Sequence, residues 1–99
     1  MLPRWHRTEI DLEAAYRYLH AAAQQGGSRA MANLGRMYFE GVGVSKDVLE
    51  AIRWYENAAS AGEFLAQIEL GRIYSRGLGV SRNPAAARKW YSAAIGQQS

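Results

Sequence analysis

Between Ser28 and Glu40 the apolar positions Ala30, Leu34 and Tyr38 fall four apart, with Met31 and Gly35 beside them. This is one apolar face of a 3.6-residue period, and it predicts a helix over 28–40 with Ser28 placed to cap it. Further on, Ala51, Trp54, Tyr55, Ala58 and Ala59 follow the i, i+3, i+4, i+7, i+8 rhythm of a second buried stripe, which predicts a helix over 47–61. Asp47 can accept the free N–H groups at its start, and Glu50 three residues on makes a capping-box-like arrangement. The same alternation predicts helices over 64–76 and 84–96. The cap of the latter is Asn83, and Pro84 suits the first helical position because its missing N–H would have no partner there. A fifth helix is expected over 9–25.

The two halves of this pattern are copies. An offset of 36 residues pairs Ala30 with Ala66, Leu34 with Leu70, Gly35 with Gly71, Arg36 with Arg72 and Tyr38 with Tyr74. It goes on to pair Gly41, Gly43, Val44 and Ser45 with Gly77, Gly79, Val80 and Ser81, then Ala51, Trp54, Tyr55 and Ala58 with Ala87, Trp90, Tyr91 and Ala94. Toward the N-terminus, Asp11, Ala15, Arg17, Ala22, Ala23 and Gly26 match Asp47, Ala51, Arg53, Ala58, Ala59 and Gly62, and upstream of Asp11 the match collapses. The chain therefore reads as a lead-in over 1–10, a half repeat over 11–27 holding a second helix only, and full repeats over 28–63 and 64–99. Stacked helix pairs at a fixed period make an all-α solenoid.

The repeated glycines have physical roles. Gly35 and Gly71 fall inside predicted helices, where glycine costs about 1 kcal/mol relative to alanine. The expected compensation is close approach, with Trp54 or Trp90 lying against the bare backbone. Gly41 and Gly43, like Gly77 and Gly79, suit left-handed backbone angles that end one helix and turn the chain. Val44 and Val80 are expected to plug these turns into the core.

The stretch ANLGRMYFEGVGVSKDVLEAIRWYENAASAG, and again AQIELGRIYSRGLGVSRNPAAARKWYSAA, resembles the Sel-1-like repeat, a relative of the tetratricopeptide repeat. The resemblance runs from Asp11 to Ala94 and rests on A-x-x-L-G-x-x-Y, G-x-G-V, W-Y and A-A elements in register twice. Tetratricopeptide repeats share the L-G-x-x-Y part but lack the G-x-G-V insertion, and pentatricopeptide RNA readers lack this glycine grammar. The resemblance implies a right-handed α-solenoid of antiparallel helix pairs, about two and a half repeats long. It also implies a non-enzymatic adaptor or scaffold, often bacterial or engaged in membrane-protein quality control. Some secreted members staple each pair with a disulfide, and this chain has no cysteine. The incomplete first repeat and the open C-terminal end raise two expectations: the chain is a fragment, or its ends pair with something.

In that architecture the first helices of successive repeats line a concave surface. The outward stripe of one carries Arg29, Asn33, Arg36 and Glu40, flanked by Phe39; that of the next carries Leu65, Glu69, Arg72 and Arg76, with Ser75 beside it. Arg36 and Arg72 should project side by side, where their guanidinium forks suit a carboxylate-bearing peptide or an acidic protein patch. The plainer alternative is a solvated helix face.

Composition removes other functions. Without cysteine there is no thiolate zinc site and no cysteine nucleophile. His6 and His20 lack metal-ligand spacing and read as surface histidines. No H-E-x-x-H, P-loop or serine elbow occurs, and Glu9, Asp11 and Glu13 suit the first turn of a helix. No cofactor is expected. Net charge is +3, and a pI near 9.5 leaves open weak polyanion or nucleic-acid binding through Arg36, Arg72, Arg76, Arg82, Arg88 and Lys89. Trp54, Tyr55, Trp90 and Tyr91 are expected in the core rather than as base-stacking platforms. Self-association through open solenoid ends is a third reading. MLPRWHRTEI lacks the apolar stretch of a signal peptide, so a soluble cytoplasmic chain is expected, or an exported one if it belongs to a longer protein.

Overall fold

A computed structural model describes residues 4–98, in which five helices follow one another: α1 (Arg4–Gln24), α2 (Ser28–Glu40), α3 (Val48–Ser60), α4 (Phe64–Arg76) and α5 (Pro84–Gln98). No strand occurs among the described residues. Each helix packs on the next, most extensively within the pairs α2/α3 and α4/α5, while α1/α2 and α3/α4 join one repeat to another. The stack measures 52 × 27 × 20 Å with a radius of gyration of 14.8 Å. A compact chain of this length would have about 13 Å, so the molecule grows along one axis, as a solenoid must. The expected boundaries hold closely except at α1. It begins at Arg4 rather than at residue 9, because a helix needs no repeat match to continue, and Asp11 and Glu13 therefore sit in mid-helix rather than in a first turn.

Two kinds of link alternate. The short one is a Schellman turn: Gly26 (φ 94°) and Gly62 (φ 92°) adopt left-handed angles. The N–H groups of Gly27 and Glu63 donate to the carbonyls of Ala22 and Ala58, both at 3.0 Å. The next helix starts at once, so Gly27 and Glu63 occupy the N-cap positions without a side-chain hydrogen bond. Ser28 is thus the first residue of α2 and not its cap, contrary to the sequence expectation. The long link opens with Gly41 (φ 71°) and Gly77 (φ 69°) and is tied back by the Asp47 N–H donating to Tyr38 O (2.8 Å) and the Asn83 N–H donating to Tyr74 O (2.9 Å). Asp47 Oδ1 accepts from the Glu50 N–H, and Asn83 Oδ1 from the Ala86 N–H, both at 3.1 Å. The capping box at Asp47 is one-sided: its own N–H is spent on Tyr38, and the Glu50 carboxylate lies 3.5 Å from Arg53 Nη1. Val44 and Val80 are half-buried against the core, as expected.

The close approach at the helical glycines is made by tyrosine, not tryptophan. A Cβ placed on Gly35 would stand 2.8 Å from Tyr55 Cδ1, and one on Gly71 2.6 Å from Tyr91 Cδ1. One residue earlier is about 100° round the helix, which sends Trp54 toward the preceding repeat. There it packs against the cluster of Ala23, Ala30, Leu34 and Met37 and meets the His20 ring edge-on at 5.9 Å. Trp90 likewise joins the cluster containing Ala51, Ile52 and Tyr55. His20 is accordingly half-buried between Trp54 and Tyr16 rather than a surface residue.

Gly35→Ala should lose about 1–3 kcal/mol to overpacking, outweighing the helix-propensity gain of about 1 kcal/mol. Gly71→Ala should lose less, since the half-buried Tyr91 ring can yield toward solvent. Urea denaturation of the two variants checks the order.

Tyr16 Oη and Tyr38 Oη lie 2.9 Å apart and join α1 to α2. This bond, with desolvation, pushes the Tyr38 phenol up to about 12; burial raises Tyr55 and Tyr74 as well. Raised phenol values mean that the fold disfavours tyrosinate. The contribution of Tyr38 to stability is complete below about pH 10 and drains away as pH climbs through about 12. Melting curves should be flat from pH 8 to pH 9.5 and fall steeply by pH 11.5, with Tyr38→Phe reducing the slope.

Candidate functional site

α2 and α4 stand side by side in front of α3 and enclose a groove of about 250 Å3. α2 contributes Ala32, Asn33, Arg36, Phe39 and Glu40; α4 contributes Leu65, Glu69 and Arg72; Tyr55 of α3 forms the floor. Six residues of the expected binding set, together with Leu65, therefore meet in one place. Arg29, Ser75 and Arg76 do not line it. Arg29 Nε instead pairs with Glu63 Oε1 at 3.2 Å, the Ser75 hydroxyl donates to Arg72 O at 3.2 Å, and Arg76 is exposed in the last turn of α4.

The groove is not a pair of free arginine forks. Arg36 Nε lies 3.4 Å from Glu40 Oε1 and Arg72 Nη2 2.8 Å from Glu69 Oε2. The hydrogen bond to Glu69, with its charge, raises the Arg72 pKa further above its ordinary value. Arg72 is the more enclosed, its side chain 40% exposed against 72% for Arg36, and its Nε is buried with no partner among the described residues.

Tyr55 was expected in the core, and its ring is there, yet the residue also lines the groove. Its phenol is raised by burial first; Glu69 and Glu40 add to the shift and Arg36 and Arg72 oppose it, so the hydroxyl feels all four groove charges. The signal for this was the choice of tyrosine over phenylalanine, since a buried phenol needs an outlet for its polar end.

A second, more apolar cavity of about 340 Å3 lies between α1 and α2, lined by Leu12, Ala15, Leu19, Met37 and Val42, with Asn33, Arg36 and Glu40 as the ridge shared with the first. In the repeat register Leu19 stands where Tyr55 does and Arg36 where Arg72 does. This cavity is the same position with its first wall absent among the described residues.

Of the six cations considered for polyanion binding, Arg36 and Arg72 line the groove beside carboxylates. Arg82 Nε donates to Ser75 O at 3.2 Å and Lys89 Nζ sits 4.6 Å from the Trp90 ring centre. No group of three or more metal-binding side chains occurs among the described residues. Glu13 pairs with Arg17 at 2.6 Å, and the side chains of His6 and Glu9 lie outside the described structure. No described helix is long and apolar enough to cross a membrane.

A family model described as the Sel1 repeat matches residues 7–27, 28–63 and 65–99. Among solved structures, the chain is similar to c5321, a protective antigen present in uropathogenic Escherichia coli strains and displaying an SLR fold. The identity is 39% and the TM-score 0.79 over 85% of this chain and 18% of that one. It is also similar to a Sel1 repeat protein from Oxalobacter formigenes, with 36% identity and a TM-score of 0.80 over 85% of this chain and 35% of that one. The chain thus spans well under half the length of either structure. No curated protein matches it. Sel1 repeats are generally non-catalytic and mediate protein interactions. Glycine–tyrosine packing and two alternating links, recurring at the matched period, place this right-handed all-α solenoid in the Sel1 repeat family.

Proposed function

We propose that the chain is a non-catalytic interaction module that holds a peptide segment of a partner protein in the groove between α2 and α4. The observation that carries this is the convergence there of polar, charged and apolar side chains from two successive repeats over a floor fixed by the Gly35–Tyr55 contact. Rigid helices with few moving parts lower the ordering cost of binding, and a mixed lining gives orientation as well as contact.

Peptides selected from a displayed random library against the whole chain test the assignment. Asn33→Trp, which fills the groove, and the double variant Arg36→Glu, Arg72→Glu should each weaken selected peptides at least about tenfold, at unchanged helicity. Arg88→Glu with Lys89→Glu, on α5, should leave them unaffected. Unchanged binding in both groove variants overturns the assignment. Loss in the α5 variant together with a steep salt dependence would favour polyanion binding instead.

The α1 face favours a second reading, self-association. Ala15 is exposed, while its counterparts Ala51 and Ala87 are 0% and 5% exposed beneath first helices, and Tyr18 is 73% exposed where Trp54 is half-buried. Within this chain such a face is covered by a helix of the α2 or α4 kind, so a second copy offers a fitting cover. Light scattering over a wide concentration range should then show dimers that Ala15→Glu abolishes, and a strict monomer rules it out.

A further inference from the structure

The groove is apolar at its two ends and polar between them. α2 and α4 hold the same place in successive repeats, so equal repeat positions lie level across it. Leu65 stands at the level of Arg29 in α2, and Phe39 lies ten positions further along. Leu65 is 49% exposed and Phe39 is half-buried. The fold requires neither, since the other repeat carries Arg29 and Ser75 in these places. Between the ends lie Asn33, Arg36, Glu69 and Arg72, over the Tyr55 floor. Arg36 is spent on Glu40 and Arg72 on Glu69, so a charged guest in the middle competes with a carboxylate or a guanidinium already in place. The Asn33 amide both donates and accepts, which suits the unpaired N–H and C=O groups of an extended backbone.

At 1.5 Å per residue of helix the two apolar ends are about 15 Å apart along the groove. An extended peptide rises about 3.3 Å per residue and returns a side chain to the same face at every second one. Side chains two apart span about 7 Å and reach one end only, and odd spacings turn one of them away. Side chains four apart span about 13 Å on one face and reach both ends. In a helix the same reach takes about ten residues, and a rod about 10 Å across does not enter a space of about 250 Å3. We infer that the groove takes an extended segment of the partner with two apolar side chains four residues apart, one on Leu65 and one on Phe39, and an uncharged polar residue midway. This inference rests on the groove being the binding site.

The test uses the whole chain, labelled with 15N, and two capped peptides of one composition, acetyl-Leu-Ser-Asn-Ser-Leu-N-methylamide and acetyl-Ser-Leu-Asn-Leu-Ser-N-methylamide. A helical peptide with leucines eleven apart serves as the competing form. The first peptide should shift the amide signals of both Leu65 and Phe39 and bind about fivefold more tightly than the second, which should shift one end only. Leu65→Ser and Phe39→Ser, at unchanged helicity, should each remove that preference, and binders from the displayed library should carry the same spacing. Equal affinity of the two short peptides, a preference that survives Leu65→Ser, tighter binding of the helical peptide, or library binders without the spacing overturns the two-anchor assignment and leaves the groove standing. If no peptide moves a groove signal and the library yields no binder, both assignments fall.

Discussion

The distance between α2 and α3 is set by an absent methyl group. Gly35 lets the Tyr55 ring come so near that a Cβ would stand 2.8 Å from it, and Gly71 repeats the contact with Tyr91. Glycine inside a helix costs about 1 kcal/mol, and the burial of an aromatic ring, worth several times that, offsets it. Because the body of Tyr55 is fixed against α2, its polar end is left at the space between α2 and α4. One contact thereby closes the helix pair and lays the floor of the groove. The residue before each tyrosine completes the arrangement: Trp54 turns to the preceding repeat and packs near His20. The dipeptide Trp-Tyr thus holds a pair together with one ring and joins two repeats with the other.

The two links divide the remaining work. In the short link the residue that ends the Schellman turn is also the N-cap of the next helix, so there is no spare position for a capping side chain. Gly27 and Glu63 fill it with backbone geometry alone. In the long link six residues separate Glu40 from Asp47, and a side-chain cap has room: Asp47 and Asn83 provide it while their N–H groups hold the loop against Tyr38 and Tyr74. The same tyrosines carry the neighbouring tie through their hydroxyls, Tyr38 to Tyr16 and Tyr74 to Glu56. Each repeat is therefore anchored by backbone at one end of a tyrosine and by side chain at the other.

Periodicity made α2 to α5 legible nearly to the residue, because their apolar faces are spelled twice in register. It misplaced the start of α1, where the repeat ends but the helix does not, and it misread Ser28, because residue type alone does not reveal that the preceding turn has taken the cap position. Trp54 and Trp90 were favoured over Tyr55 and Tyr91 for the glycine contacts on size, whereas direction around the helix decides the matter. Most of the groove was legible as an outward stripe. Its electrostatics were visible too, since Glu40 follows Arg36 by four residues and Glu69 precedes Arg72 by three, both spacings at which helical side chains meet. What the stripe did not disclose was Tyr55, a residue of another helix that enters from behind.

The repeats agree where the fold is made and differ where the groove is lined. Gly35, Tyr38, Ala51, Trp54 and Tyr55 recur unchanged as Gly71, Tyr74, Ala87, Trp90 and Tyr91, but Asn33, Phe39 and Glu40 become Glu69, Ser75 and Arg76. Arg36 and Arg72 are the shared groove element, and even they are held differently, one by a carboxylate a turn later and the other by a carboxylate a turn earlier. The two walls consequently present donors and acceptors in opposite order along the groove. The copies thus keep the contacts that pack one helix on the next and vary the outward side chains of their first helices.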